Sequence, residues 1–325
     1  MKQVSYGILS TSSIAPRFIA AVRAAQAGQI LALSSRSEEK AKEKAAQWEI
    51  PRAYGSHEAL LADPDVNTVY ISTVNSHHYR WAMAALEAGK NVVCEKPMTT
   101  SATQTRALFV KAREKGLFLM EAEKMLFLPA ILEVKRRIDA GELGQMYMAE
   151  LSHSFPASYN GWMFDEAAGG GPVLSSGIYA VQLLQFLFGS FKEIRGKKSA
   201  LDTGVEWQYI LTGEMESGLL FSAKNSTRAI LDNTARLFGT NGWVEIPEYW
   251  KARKAVFHMA GKEPETVEFP CTHELVYEAK HIRECIENGL RTSPVVTEEV
   301  SVQGIEAIEK IKAQWGIVSK FIQKK

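Results

Sequence analysis

Residues 4–18 have the sequence VSYGILSTSSIAPRF, which predicts a β-strand followed by a tight turn and an α-helix. Val4–Leu9 is a short apolar run, and Ile14–Gln26 has apolar residues at helical spacing. In dinucleotide-binding folds this turn carries glycines, because they allow positive φ and close approach of the backbone to a pyrophosphate. Ser10 and Ser12 stand at two of those glycine positions. The turn therefore resembles a phosphate-binding loop with serines in place of glycines.

The serines weaken the phosphate-binding pattern without removing it. A residue other than glycine at positive φ costs about 1 kcal/mol, but serine hydroxyls can donate to phosphate oxygens. The start of the helix also offers free N–H groups and a positive dipole end. The predicted cofactor contacts of this loop are Gly7, Ser10, Thr11, Ser12, Ser13 and Ile14. A Ser/Thr run that only caps a helix is the alternative on this stretch alone.

Strands and helices alternate over the first 120 or so residues. Further strands are predicted at Gln29–Ser35, Val66–Thr73, Asn91–Cys94 and Leu117–Met120. Helices are predicted after a cap at Ser37, after the third strand through Ala88, and at Ser101–Lys115. Apolar strands joined by crossover helices indicate a parallel sheet covered on both faces.

The pattern changes from about residue 145. Strands are predicted at Met146–Ser154, Trp207–Thr212, Gly218–Asn225, Ala235–Gly239 and Trp243–Ile246. Helices are predicted at Ile178–Phe188, at Glu274–Asn288 and from about Glu298 to Phe321. Because no long helix separates most of these strands, the sheet should be antiparallel.

The predicted fold is therefore of the α/β class, with two domains. Residues 1–122 form a Rossmann-like, doubly wound parallel sheet that binds a dinucleotide. Residues 123–325 form an α+β domain with a large, mostly antiparallel open sheet for substrate binding and dimerisation. The closing helix is expected to pack back on the body of the protein, with the first domain as one candidate surface.

Composition excludes several classes of partner. The chain has 38 Lys+Arg and 37 Asp+Glu, a net charge of +1, which favours neither nucleic acid nor an acidic membrane. The longest apolar stretches are far below the ~18 residues of a membrane span. Cys94, Cys271 and Cys285 are far apart, without metal-ligand spacing, so no metal site is predicted and a reducing cytoplasm is expected. Neither a nucleic acid nor a membrane is therefore expected as a partner.

The end of the second strand bears on the cofactor. NAD-preferring sheets usually place an acid there for the ribose 2′-hydroxyl. This chain has SSRSEEK at residues 34–40, with Ser35 and Arg36 near that position. Arginine and hydroxyls suit a 2′-phosphate through charge-assisted hydrogen bonds. The sequence therefore favours NADP, with NAD as the alternative and a plain surface arginine as the structural alternative.

A charged pair follows the predicted strand at Asn91–Cys94, within GKNVVCEKPMTT at residues 89–100. Ligands of open α/β sheets bind at the carboxyl ends of strands, which is where Glu95 and Lys96 lie. A lysine there can hold a substrate hydroxyl and exchange a proton if its pKa is depressed. A simple ion pair between Glu95 and Lys96 is the alternative.

Five segments together resemble the Gfo/Idh/MocA oxidoreductases: VYISTVNSHHY, VVCEKPM, GLFLMEA, GGGPVLSSGIY and YEAKHIREC. The branch most resembled is that of the dimeric trans-1,2-dihydrobenzene-1,2-diol dehydrogenases, from about residue 4 to 296. The resemblance implies hydride transfer between NAD(P) and a secondary alcohol or carbonyl of a sugar-like, diol or dicarbonyl molecule. It also implies a homodimer or higher homo-oligomer formed through the open sheet.

The resemblance places functional residues in both halves of the chain. It puts the catalytic lysine at Lys96 and cofactor contacts at Thr73, Asn75, His78, Glu95 and Lys96. Downstream, Gly177 and Tyr179 match a Gly-x-Tyr pattern, whereas Ser175 replaces the usual aspartate. We predict that Tyr179 exchanges the proton, while Lys96 orients the substrate oxygen and, as a nearby cation, lowers the pKa of Tyr179. A core tyrosine is the alternative.

Substrate contacts are predicted at Lys124, Phe155, Trp162 and His281. The resemblance implies that this stretch touches the substrate, and close relatives carry an aromatic residue and an arginine where this chain has Lys124 and Leu126. If it does touch the substrate, we expect a preferred ligand that differs from an aromatic diol. Phe155 and Trp162 could equally belong to a core or an interface, and His281 to a hydrogen-bonded core.

Two functions other than catalysis stay open on the sequence. One is a non-catalytic NAD(P)-binding sensor or regulatory protein, and the other is a sugar-binding module that has lost the cofactor. The serines of the first loop and Ser175 support them. The presence of both Lys96 and Tyr179 argues for the enzyme.

Overall fold

The computed structural model describes residues 3–159 and 161–317. These residues form two compact units. The first unit contains residues 3–99, 103–123 and 273–301, and the second contains 100–102, 124–272 and 302–317 apart from residue 160. Residues 273–301 thus group with the first unit, although the predicted boundary assigned them to the second domain. That these units are compact does not show where one independently folding domain ends, so the predicted domain boundary between residues 122 and 123 stays a prediction.

The first unit is built on a six-stranded parallel sheet. Its strands are β1 (Ser5–Leu9), β2 (Gln29–Ser34), β3 (Arg52–Tyr54), β4 (Thr68–Ile71), β5 (Asn91–Glu95) and β6 (Leu119–Ala122). They lie in the order β3-β2-β1-β4-β5-β6, and every neighbouring pair is parallel. The strand order reverses between β1 and β4, which is where such sheets bind ligands. The predicted doubly wound sheet is confirmed.

Both units contain α-helices. They are α1 (Ala15–Ala24), α2 (Glu38–Gln47), α3 (His57–Leu61), α4 (Asn75–Glu87), α5 (Ala102–Lys115), α6 (Pro129–Asp139), α7 (Ile178–Phe188), α8 (Leu275–Glu287) and α9 (Glu298–Gln314). As predicted, the Ser37 hydroxyl caps α2 by accepting from Lys40 N over 3.3 Å. Strand β3 and helix α3 are too short for hydrophobic periodicity to reveal, and the sequence did not predict them.

Helix α9 is shorter than predicted. It ends at Gln314, and Gly316 then adopts a φ of +75°, the left-handed conformation that commonly terminates helices. The predicted continuation is therefore wrong for residues 315–317, and residues 318–321 of that prediction lie outside the described residues.

The second unit contains an eight-stranded sheet. Its strands are β7 (Met146–Ser154), β8 (Phe191–Ala200), β9 (Glu206–Met215), β10 (Leu220–Ser226), β11 (Thr234–Gly239), β12 (Gly242–Pro247), β13 (Lys254–Met259) and β14 (Glu265–Glu268). They lie in the order β14-β13-β12-β11-β7-β10-β9-β8. The β7–β10 pair is parallel and the other pairs are antiparallel, which confirms a mostly antiparallel sheet.

The two faces of this sheet differ. Residues such as Leu151, Leu211 and Leu237 are fully buried on one face. The other face exposes large apolar side chains, among them Met148 and Leu220, which are paired in register. This unit therefore has an open sheet, as the sequence predicted. No helix within the described residues has the length and apolar character needed to cross a membrane.

Candidate active site

The loop after β1 adopts the conformation that glycine would allow. Ser10 has a φ of 101°, and its backbone N–H donates to Ser34 O at the end of β2 over 3.1 Å. The Ser12 hydroxyl donates to the Ser72 hydroxyl, which follows β4, over 2.8 Å. These two bonds hold the turn in place despite the strain at Ser10. The Ser12 hydroxyl is thereby engaged within the protein, whereas Thr11 and Ser13 are at least partly exposed.

The start of α1 fits a pyrophosphate. Its cap residue, Ile14, offers no side-chain hydrogen bond, and its first turn contains no acid. The positive end of the helix dipole therefore meets a half-exposed loop, which favours a bound anion. Ala15 is fully buried, as close packing of the helix on the sheet requires. The residues present thus fit the diphosphate of a nicotinamide dinucleotide.

Gly7 has a packing role instead. It lies inside β1, where a Cβ would come within 2.6 Å of Leu60 Cδ2 and 2.9 Å of Val66 Cγ1. Its glycine is explained by these two neighbours, so a direct contact of Gly7 with the cofactor stays a prediction.

The end of β2 presents Arg36 to solvent. Ser34 and Ser35 are buried, and the Ser34 hydroxyl forms a 2.8 Å hydrogen bond with Nδ1 of His57. His57 packs edge-on against Trp81, and its burial lowers its pKa. The hydrogen bond to His57 therefore holds the end of β2 in place, and the exposed side chain of Arg36 is available to a phosphate group.

The predicted contact His78 is buried and connects two loops. Its Nε2 lies 3.0 Å from Thr73 O, and its Nδ1 lies 2.9 Å from Pro97 O. Burial lowers the pKa of His78, while the two backbone contacts act in the opposite direction. The ring therefore joins the loop after β4 to the loop that carries Lys96. Cofactor contacts by Thr73, by Asn75 and by His78 itself stay predictions.

The Lys96 segment is held through Glu95. The Tyr70 hydroxyl of β4 donates to the Glu95 carboxylate, and the Tyr70 ring stacks on Phe18 of α1 at 3.7 Å. Burial, and then the charge of Glu95, raise the pKa of Tyr70. Tyr70 therefore stays a neutral donor that fixes the residue before Lys96. Lys96 itself is half-buried, and the peptide bond between Lys96 and Pro97 is cis.

In the second unit, Tyr179 and Lys124 are in direct contact. Lys124 Nζ donates to Tyr179 Oη over 2.8 Å and lies 4.7 Å from the centroid of the phenol ring. Each residue is only 8% exposed. Tyr179 belongs to the first turn of α7, and Lys124 opens the 3-10 helix Lys124–Phe127 directly after the first unit's residues 103–123. Tyr179 thus has Lys124 as a partner, whereas the sequence predicted Lys96 for the electrostatic support of Tyr179, and that role of Lys96 stays a prediction.

The glycine-rich stretch before Tyr179 is shaped by close packing. A π-helix at Val173–Gly177 leads into α7. A Cβ on Gly170 would come within 2.4 Å of Met163 O, and one on Gly177 within 2.6 Å of Tyr209 Oη. Backbone and side chains approach these positions too closely for any larger residue. The same packing fixes the direction in which α7 begins.

Polar side chains also hold this stretch. Glu206 of β9 accepts from Val173 N over 2.8 Å, and burial raises the pKa of Glu206. Ser175, at the position of the usual aspartate, donates its hydroxyl to Gly171 O over 3.1 Å. Asn225 Nδ2 donates to the Ser176 hydroxyl over 3.0 Å. No carboxylate therefore stands at position 175, and its serine stabilises the helix entry.

Comparison with known proteins identifies the family. A family model described as "Oxidoreductase family, NAD-binding Rossmann fold" matches residues 4–123, and "GFO/IDH/MocA C-terminal domain" matches residues 131–245. The chain belongs to the Gfo/Idh/MocA oxidoreductases. It is 33% identical to trans-1,2-dihydrobenzene-1,2-diol dehydrogenase of Mus musculus, covering 96% of this chain and 97% of that one. The predicted family is confirmed.

Solved structures share the fold of this Gfo/Idh/MocA protein. A levoglucosan dehydrogenase in complex with NADH and levoglucosan has a TM-score of 0.86 at 20% identity, covering 97% of this chain and 98% of that one. A 3-ketoreductase from Actinomadura kijaniata in complex with NADP and TDP-benzene has a TM-score of 0.87 at 22% identity, covering 96% and 98%. The chain is therefore an NAD(P)-dependent oxidoreductase that transfers a hydride between nicotinamide and an alcohol or carbonyl carbon.

The other predicted substrate residues, Phe155, Trp162 and His281, differ in exposure and in their contacts. Phe155 packs near His153, with ring centroids 5.4 Å apart, and Trp162 is exposed in a short 3-10 helix. His281 Nε2 forms a 2.8 Å hydrogen bond with the Ser293 hydroxyl, and burial lowers the pKa of His281. That contact agrees with the alternative of a core histidine. The substrate roles of these residues stay predictions.

Sequence reasoning missed two residues and one contact that shape the site. Tyr70 lies in a strand whose apolar residues predict only a buried core position, and Glu206 lies one residue before the predicted strand Trp207–Thr212. The third omission is the contact between Lys124 and Tyr179, which are 55 residues apart in sequence. Lys124 itself was predicted as a substrate contact, but no sequence pattern pairs it with Tyr179.

Proposed function

We propose that this enzyme prefers NADP and acts on a secondary alcohol or carbonyl of a sugar-like, diol or dicarbonyl molecule. The observation that carries the cofactor preference is Arg36. It is exposed directly after the buried end of β2, and residues 34–37 contain no acid that could bind a ribose hydroxyl. NAD remains the alternative cofactor.

Several groups of the first unit would hold the cofactor. The backbone from Ser10 to Ile14 and the start of α1 would bind the pyrophosphate, and Ser35 with Arg36 would bind the 2′-phosphate. Thr73, Asn75, Glu95 and Lys96 lie at the ends of β4 and β5, on the side where Rossmann sheets bind ligands. When bound, the nicotinamide supplies or accepts the hydride.

The substrate class rests on relatives and on one residue of this chain. The relatives are named for a dihydrodiol and for an anhydrosugar, both of which carry secondary hydroxyls. Lys124 places a cation beside Tyr179, where an aromatic side chain would favour an aromatic diol. A polar, hydroxyl-rich substrate fits this environment better.

The catalytic roles are divided between Tyr179 and Lys96. Tyr179 takes the hydroxyl proton during oxidation and gives it back during reduction. Lys96 donates a hydrogen bond to the substrate oxygen, which orients it and stabilises the developing charge. Phe155 and Trp162 are proposed as apolar contacts of the substrate.

We also propose a homodimer in the cytoplasm. Met148, Ile210 and Leu220 are exposed apolar residues on the open face of the sheet, and an uncovered apolar face is unusual in a monomer. The described cysteines are free thiols, which suits a reducing compartment. Light scattering at micromolar concentration tests the dimer, and a monomeric mass would reject it.

Titration with NADPH and NADH, followed by nicotinamide fluorescence, tests the cofactor proposal. We expect tight NADPH binding and weak NADH binding. Arg36→Ala should weaken NADPH binding about tenfold or more, because a charge-assisted bond contributes about 1.5–3 kcal/mol. The exposed Arg195→Ala is the matched control and should leave it unchanged. Failure of the folded protein to bind either nucleotide would reject the proposed function.

A further inference from the structure

The contact between Lys124 and Tyr179 is built into the fold of the second unit. Lys124 begins a 3-10 helix that packs against α7, and Tyr179 lies in the first turn of α7. The entry to that helix is fixed by Glu206 at Val173 N and by Tyr209 beside Gly177. Lys124 and Tyr179 are therefore each carried by a helix whose position the surrounding residues fix.

Holding a lysine in one buried geometry has a cost. Ordering a lysine side chain costs up to about 2 kcal/mol of rotamer entropy, and desolvating its ammonium costs more. Lys124 is 8% exposed, and its ammonium both donates to Tyr179 Oη and lies over the phenol ring. Packing alone would be served better by methionine or leucine. The geometry thus points to a role for the charge itself.

We infer that Lys124 is a positioning residue that acts through Tyr179, by stabilising the phenolate form of its side chain. A hydrogen bond from a cation favours the charged form of an acceptor oxygen. Tyrosine ordinarily loses its proton near pH 10, which makes it a poor base at neutral pH. The ammonium of Lys124 brings the two protonation states of Tyr179 closer in free energy, which is the condition for efficient proton exchange.

This inference rests on the proposed function, in which Tyr179 exchanges the substrate proton. During oxidation the substrate hydroxyl gives its proton to the Tyr179 oxygen while the C–H electron pair leaves with its hydrogen as hydride for the nicotinamide. Tyr179 then releases the proton to water, and Lys124 keeps its own charge throughout. The roles of the two lysines are separate, since Lys96 is assigned to the substrate oxygen.

Ultraviolet titration of the folded protein tests the inference without a substrate. The near-ultraviolet phenolate absorbance of wild type minus that of Tyr179→Phe isolates the ionisation of Tyr179 from that of the other tyrosines. Lys124→Met keeps the length and the packing of the side chain but removes its charge. We expect its Tyr179 titration midpoint to move upward by about one pH unit or more, and Lys124→Arg to restore it.

Matched variants separate this effect from loss of structure. Lys135→Met is the control, because Lys135 also places its ammonium over an aromatic ring, that of Phe186, but donates to Asp139. It should leave the Tyr179 midpoint unchanged. An unchanged midpoint in folded Lys124→Met would overturn the inference. If Lys124→Met fails to fold, Lys124→Arg serves as the test. A Tyr179 midpoint in Lys124→Arg that is higher than in wild type would then overturn the inference.

Turnover then distinguishes this inference from the proposed function. In Lys124→Met the pH profile of kcat for oxidation should move upward together with the absorbance midpoint. A fully active Tyr179→Phe would reject the proposed role of Tyr179, whatever the absorbance shows. An inactive Tyr179→Phe combined with an unshifted Lys124→Met profile would reject only the role of Lys124.

Discussion

Tyr70 donates its phenolic hydrogen to Glu95, the residue directly before Lys96. The same tyrosine ring stacks on Phe18 of helix α1, in a nearly parallel arrangement. One side chain thus joins the helix whose start fits the pyrophosphate to the segment that carries the proposed catalytic lysine. Both contacts lie within the first unit.

Tyr70→Phe should reduce activity more than stability. The stacking on Phe18 is kept, but the Glu95 carboxylate loses a donor and the Lys96 segment loses a constraint. Loss of one hydrogen bond should lower the free energy of unfolding by about 1 kcal/mol. Misplacement of Lys96 should lower kcat/KM by about tenfold or more. Urea unfolding and steady-state kinetics measure the two effects.

Tyr54→Phe is the matched control. Tyr54 of β3 donates to Asp63 over 2.9 Å in the same unit, at a site with no assigned catalytic residue. Its loss should cost a similar amount of stability and leave kcat/KM unchanged. Equal losses of activity in the two variants would contradict a specific role for Tyr70.

Lys96→Ala should lower turnover by about 10²–10³, because a donor to the substrate oxygen is removed from the reacting centre. Lys96 is half-buried and follows the strand, so little packing is lost and the melting temperature should change by only a few degrees. Steady-state kinetics and thermal unfolding give the two values. A fully active variant would show that Lys96 has no catalytic role.

The sequence predicted the architecture well because its signals are local. The apolar run of β1, the serine cap of α2 and the glycine after α7 each act within a few residues. The short elements β3 and α3 escaped prediction because they have no periodicity to detect. Strand β8, FKEIRGKKSA, escaped because its exposed side is charged.

The site was only partly predictable, since its contacts are non-local. Ser10 has a positive φ, so the comparison with glycine correctly predicted the backbone conformation of this turn. The partner of Tyr179 is set by the fold, which brings residue 124 to residue 179 and which no spacing rule could reveal. The contacts of His78 with Pro97 O and Thr73 O are likewise non-local or hidden from sequence patterns, and its role as a cofactor contact stays a prediction.

Gly177→Ala should destabilise the entry to α7. The new Cβ would lie about 2.6 Å from Tyr209 Oη, although the backbone conformation of Gly177 itself suits alanine. Overpacking of this kind costs about 1–3 kcal/mol. Adding Tyr209→Phe removes the clashing oxygen, so the double variant should recover part of the loss. Unfolding free energies of the two single variants and the double variant measure the coupling, and strict additivity would contradict the clash.

The stability of the first unit should fall in mild acid because of His57. Burial lowers the pKa of His57, an effect opposed by the charge of Glu58 and supported by electrostatic interactions with Arg36 and Arg80. Between its folded pKa and the ordinary value of about 6.5, the unfolded chain binds more protons than the folded one. The free energy of unfolding contributed by this residue therefore decreases as the pH falls below about 6.5.

His57→Gln tests this pH dependence. Glutamine has no titratable group, and its side-chain amide can still bond to the Ser34 hydroxyl beside β2. We expect the variant to lose less stability than wild type when the pH is lowered from neutral to about 5, in the range just below the ordinary pKa. Urea unfolding at several pH values gives the two slopes. Parallel slopes would mean that His57 is protonated equally in the folded and unfolded chains, against the effect expected from its burial beside Trp81.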